Sequence, residues 1–209
     1  GNHKNTLDNT SIKKLMDSWI IQGEIEKTVL VFIDGFNSFY VNSQQYQMED
    51  AINLELLPII EKRLNLDISR EKRFIAGISM GGYGALSYYL KYPYLYGKVM
   101  ALSPALWQNT KKTYPNYIWM LFRQKNKYQE VKWQENHPIS LIESYNSEYK
   151  SSIYIVTGDK DLLVPRCEVD SFVEKSKSYL DINYKIYEDG DHSWNFWDQA
   201  MPELLNILK

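Results

Sequence analysis

An α/β fold with a mostly parallel sheet and helices on both faces is predicted by three observations. Short apolar runs that read as buried strands alternate with segments of helical apolar spacing. The predicted strands end in loops that carry the chain's chemistry-bearing side chains. One of these ends, Gly77-Ile78-Ser79-Met80-Gly81, places a serine between an apolar run, Phe74–Ile78, and a small-residue helical run, Tyr83–Leu90. In that strand–turn–helix context the turn is tight enough to strain the serine backbone. Gly77 and Gly81 are expected where side chains would collide, and Gly82 and Gly84 where the helix packs closely.

The remaining elements follow in order. Residues 1–10 are polar and read as irregular. Ile12, Leu15, Met16, Trp19 and Ile20 recur at helical spacing, with Gly23 as the stop. Thr28–Ile33 reads as a strand buried on both faces, ending in Asp34-Gly35-Phe36-Asn37. Glu49–Leu66 reads as a helix kinked at Pro58, with Ile52, Leu56, Ile59, Ile60 and Leu64 inward. Lys98–Leu102 is a strand ending in Ser103-Pro104. Residues 105–150 lack a strand pattern and carry Trp107, Tyr114, Tyr117, Trp119, Phe122 and Trp133; helical pieces covering one end of the sheet are expected. Ser152–Val156 is a strand ending in Thr157-Gly158-Asp159-Lys160-Asp161. Val169, Phe172, Val173, Ser176 and Leu180 mark a helix. Tyr184–Tyr187 is a short strand ending at Asp189-Gly190-Asp191-His192, and Trp197, Ala200, Met201, Leu204, Leu205 and Leu208 form a closing helix. The whole, 1–209, reads as one domain.

Composition narrows the function classes. The chain has 209 residues, 44% hydrophobic and 24% charged, enough for a single core. A net charge of −2 gives no electrostatic footprint for nucleic acid. No apolar run is long enough to span a membrane, and no signal peptide is visible. Cys167 is the single cysteine, which excludes an intrachain disulfide and fits a reducing compartment without excluding export. No metal or cofactor is expected. The three histidines are far apart, zinc spacing is absent, and Gly81-Gly82-Tyr83-Gly84 lacks the Lys-Ser/Thr of a phosphate loop.

Ser79, Asp161 and His192 all fall at strand carboxyl ends. Serine needs a base to become a nucleophile, and a histidine needs a carboxylate to fix its tautomer. His192 is preferred as the base over His3, near the terminus, and over His137, which precedes Pro138 and reads as a helix boundary. Asp161 is preferred as the acid over Asp159 because it lies past the Gly158 turn. Asp34, Asp189 and Asp191 read as turn residues, and Ser103 and Trp197 as packing.

With VFIDGFNSFYVNS (31–43), EKRFIAGISMGGYGAL (71–86), TGDKDLLVP (157–165) and DGDHSWNFW (189–197) on the page, the chain resembles the esterase D / feruloyl esterase group of α/β hydrolases. The resemblance implies a serine esterase with Ser79 as nucleophile, Asp161 as acid and His192 as base. It also implies one oxyanion donor at the Met80 N–H and Trp194 beside the histidine. Acetyl, feruloyl or other sugar-linked esters are the implied substrates. In that group a His-Gly loop after an earlier central strand supplies a second oxyanion donor, and no such loop is found here. The chain therefore reads as N-terminally truncated relative to the group, with one strand missing between Thr28–Ile33 and the elbow strand. Three arrangements would resolve the gap: a longer protein, direct pairing of Thr28–Ile33 with the elbow strand, or another chain, such as a second copy, completing the sheet. Gly35 or Asn37 is a substitute donor. A catalytically impaired binding protein and an acyltransferase are the rival functions; the first would not turn over esters, and the second would need an alcohol acceptor.

Overall fold

The computed structural model describes residues 3–108, 121–124, 127–145, 148–149 and 152–209. Helices α1 (His3–Asn9) and α2 (Ile12–Ile21) open the chain. The first corrects the expectation of an irregular start. α2 buries Ile12, Met16 and Trp19 and ends at Ile21, with Gln22 as its C-cap and then Gly23, whose φ of 72° suits glycine. The predicted helix after residue 48 forms, but in three parts that together make α3. Met48–Asp50 leads into a π-helical Ala51–Leu56, followed by Leu57–Arg63. Leu57 N–H reaches Ile52 C=O, five residues back, just before Pro58, which has no N–H to give. The wider turn absorbs what a simple kink was expected to absorb. Ile52 is buried as expected, but Ile59 and Leu64 are exposed, so the helix's inward face is narrower than its apolar spacing implies.

The central sheet contains β1 (Phe74–Ile78), β2 (Lys98–Leu102), β5 (Ser152–Gly158) and β6 (Asp181–Tyr187) in that spatial order. Each neighbouring pair is parallel. β6 begins three residues earlier than its apolar run, because Asp181, Ile182 and Asn183 pair in register with Ser152, Ile153 and Tyr154. Helix α4 (Met80–Lys91) follows β1, α7 (Arg166–Ser176) follows β5, and α8 (Trp194–Ala200) and α9 (Leu205–Leu208) close the chain. The period of two in the strands divides the core. Val99, Ala101, Ile153 and Ile155 pack with α4 and α7, and Met100, Leu102 and Val156 pack with α2 and α8.

Between residues 108 and 152 the described residues hold a two-stranded antiparallel pair, β3 (Arg123–Gln124) and β4 (Lys127–Tyr128), then α5 (Glu130–Asn136) and α6 (Pro138–Leu141). The pair was not expected; each strand is only two residues long. Trp107, Phe122 and Trp133 are buried in the core. Tyr114, Tyr117 and Trp119 lie outside the described residues. His137 bounds α6 as its spacing implied: its Nδ1 accepts from Ile139 N–H at 3.2 Å.

One expected strand is absent. Thr28–Ile33 runs as irregular backbone, and among the described residues no backbone–backbone hydrogen bond involves 25–33. Direct pairing with the elbow strand does not occur: β1 pairs with β2 alone. Val29 is 52% and Val31 46% exposed, in a run that composition marks as buried on both faces. A cavity of about 1220 Å³, lined by Val29, Val31, Ile33, Ile75 and Gly77 among others, separates the two segments. A run of strand-like residues without a partner edge has no ladder to join, and this overrides its local preference.

Candidate active site

Ser79 sits between β1 and α4 with φ 55° and ψ −115°. A residue with a Cβ holds that conformation only when its surroundings fix it. Here Ser79 N–H donates to Leu102 C=O at 2.8 Å, and Ser79 C=O accepts from Ala105 N–H at 3.1 Å. The end of β2 thus clamps the elbow. A Cβ on Gly77 would lie 2.1 Å from the Gly81 carbonyl oxygen, and one on Gly84 2.6 Å from the Tyr40 ring. Gly81 itself has room, with nothing nearer than 3.8 Å to an added Cβ, so its expected collision is not found.

Ser79 occupies the N-cap position of α4, yet its hydroxyl caps nothing. It lies 2.8 Å from His192 Nε2 instead. His192 Nδ1 lies 2.6 Å from Asp161 Oδ2. An ionised carboxylate only accepts, so Nδ1 carries the proton and Nε2 offers its lone pair to the serine hydroxyl. The Asp161 side chain is fully buried and completely partnered. Its Oδ1 accepts from Leu163 N–H at 3.0 Å and Val164 N–H at 2.7 Å. Those bonds offset the cost of burying the charge and fix the carboxylate's direction. Asp159, its rival in sequence, points elsewhere, 3.8 Å from Lys160 Nζ.

The loops carrying acid and base are locked together by Gly158, which the sequence marks as a turn, and Gly190. A Cβ on Gly158 would lie 2.0 Å from Gly190 O. Lys160 N–H donates to Gly190 C=O at 2.9 Å, and Asp159 N–H to Tyr187 C=O at 3.1 Å. The signal was present as a glycine closing each loop, but a pairing between distant loops is not a local pattern.

Met80 begins α4, so its N–H has no partner within the helix. Met80, Ser79 and Trp194 all line the large cavity, and Trp194 is half-buried. Gly35 and Asn37 are not among its lining residues. Gly35 is buried, its carbonyl taken by Ser38 N–H and Oγ, while Asn37 is exposed. Asp189 and Asp191 are exposed as expected. Among the described residues no helix is long and apolar enough to cross a membrane.

A strained serine at a strand–helix elbow on a parallel sheet defines the α/β-hydrolase fold. Solved structures agree. A ferulic acid esterase superposes on 98% of this chain and 79% of its own, with TM-score 0.76 and 22% identity. Staphylococcus aureus fluorophosphonate-binding serine hydrolase F superposes on 100% and 80%, with TM-score 0.79 and 21% identity. The particular group follows from sequence: residues 3–207 match the putative esterase family, and the chain belongs to it, among carboxylic ester hydrolases. An acetyl esterase of Caldicellulosiruptor saccharolyticus is 29% identical over 86% of this chain and 71% of its own length. An S-formylglutathione hydrolase of Arabidopsis thaliana is 28% identical over 76% of this chain. This chain spans 56% of that relative's length.

Proposed function

We propose that this chain hydrolyses carboxylic esters through an acyl-enzyme on Ser79. The observation that carries the reading is the unbroken hydrogen-bonded line from Asp161 through His192 to Ser79. His192 Nε2 takes the hydroxyl proton as Ser79 Oγ bonds to the ester carbonyl carbon. The carbonyl electron pair moves onto oxygen, which the Met80 N–H and the N-terminal end of α4 stabilise. His192 then passes its proton to the leaving alcohol oxygen as the ester C–O bond breaks. Water repeats the cycle on the acyl-enzyme and frees the acid. Asp161 holds the imidazole in the working tautomer and stabilises its cation.

Acetyl esters are the first substrates to test, supported by the acetyl esterase relative. Among the described aromatic residues of 105–150, Trp107, Phe122 and Trp133 are buried in the core. Turnover of p-nitrophenyl acetate is expected for the wild type and is expected to be nearly abolished in Ser79→Ala. Equal turnover in both ends the proposal. Added alcohol acceptors that divert most of the acyl group would favour a transferase.

The gap between 25–33 and β1 supports an added strand as part of the working protein. Both of its walls present unpaired backbone groups, which a core does not tolerate. The serine hydrolase that covers this whole chain has a fifth of its own length left over. A second copy of this chain is the first donor to test, by solution mass and by hydrogen exchange over 74–78. A monomer with unprotected amides there excludes it.

A further inference from the structure

Two hydrogen bonds leave His192 one freedom. Bonds to Asp161 and Ser79 fix the two ring nitrogens, but the ring can still rock about the line joining them. Trp197 stands against that motion. Its ring centroid lies 4.9 Å from that of His192, with the planes 84° apart. Trp197 is buried, and the Trp194 ring packs nearly perpendicular to it at 4.9 Å.

The indole is anchored in turn. Trp197 Nε1–H donates to Ser103 Oγ at 3.2 Å. Ser103 is fully buried at the end of β2 and holds φ 42°, a left-handed conformation that favours glycine. Its N–H donates to Val156 C=O at 2.8 Å, tying it to β5. Its neighbour Leu102 accepts from Ser79 N–H. One short segment, 102–105, therefore clamps the serine backbone and, through Trp197, braces the imidazole.

We infer that Ser103 and Trp197 are positioning residues that hold the His192 ring in the plane joining Asp161 to Ser79. At this left-handed position the serine hydroxyl supplies an acceptor for Trp197 that glycine could not. Packing alone would be served as well by glycine, which carries no strain there. The kinetic part of this inference rests on the esterase reading; the geometric part does not.

The experiment uses Ser103→Gly, Trp197→Phe and the double variant. Ser103→Gly removes the hydroxyl while relieving the backbone, and Trp197→Phe keeps a ring but removes the donor. For p-nitrophenyl acetate, kcat per fluorophosphonate-titrated site is expected to fall roughly 10- to 100-fold, with KM within about twofold. The double variant should match the single ones, because both cut the same link. In parallel, the low-field Nδ1–H proton of His192 is followed by NMR, which needs no turnover. It should broaden or vanish in each variant and stay sharp in the wild type. Unchanged kcat with an unchanged proton signal overturns the inference, as do losses that multiply in the double variant. A wild type that shows the proton signal, and variants that lose it, without any ester turnover, would sink the esterase reading and leave the positioning role standing.

Discussion

Ser79 is held in a conformation that serves neither helix capping nor packing, and its hydroxyl goes to an imidazole 2.8 Å away. Asp161 spends both oxygens, one on two backbone amides and one on His192. Replacing Asp161 by Asn keeps the shape but removes the acceptor that sets the tautomer. Asp161→Asn should lower kcat for p-nitrophenyl acetate on the order of 1,000- to 10,000-fold with little change in melting temperature. A loss under tenfold would show that the carboxylate is not working through His192. These residues could be read from sequence because the elbow is a local pattern, with Gly77 forced by contacts four residues away. Asp161 is preferred over Asp159 in sequence by its place past the Gly158 turn; the two amides that follow, Leu163 and Val164, then hold its Oδ1. In sequence Trp197 reads as packing; its contact with Ser103, 94 residues earlier in the chain, has no local signature.

At the level of elements, Gly158 and Gly190 weld the loop after β5 to the loop after β6. Gly158→Ala should force them apart, costing about 1–3 kcal/mol of stability and lowering kcat through the Asp161–His192 distance. Denaturant unfolding and kinetics on the same sample check both. α6 carries a different liability. His137 is buried beside Trp133 and Tyr83, and burial lowers its pKa from 6.5 to about 4. The unfolded chain binds a proton there below pH 6.5 while the folded chain resists until about pH 4. This residue's contribution is thus intact above pH 6.5, falls as pH drops, and levels off below about 4, a loss of about 3 kcal/mol. His137→Asn keeps a cap acceptor and should lose that slope. Urea unfolding at neutral and acid pH compares the two chains, and parallel curves would refute it. The cap was legible from His137-Pro138; the burial was not, since it depends on Trp107, Trp133 and Tyr83 meeting from three segments.

For the whole molecule, the parallel sheet and the two-sided core match what alternating runs imply, because each run buries its own period-two face. The failure at 28–33 is instructive in the same terms. Its residues have strand preferences, yet strand structure belongs to pairs, and its partner edge is missing across the cavity. The sheet edge at β1 is correspondingly half-buried where β2 is buried. Amide exchange should therefore be fast in 74–78 and slow in 99–102, with the difference erased by whatever fills the gap. Equal protection of both strands in the isolated chain would show that the gap is closed.

The central claim is that Ser79 is a nucleophile driven by His192. The most direct measurement is the site and rate of modification by a fluorophosphonate, located by mass spectrometry of the digested protein. A single adduct on the peptide carrying Ser79 is expected, absent in Ser79→Ala and formed far more slowly in His192→Ala. An adduct elsewhere, or an undiminished rate without the imidazole, would contradict the account.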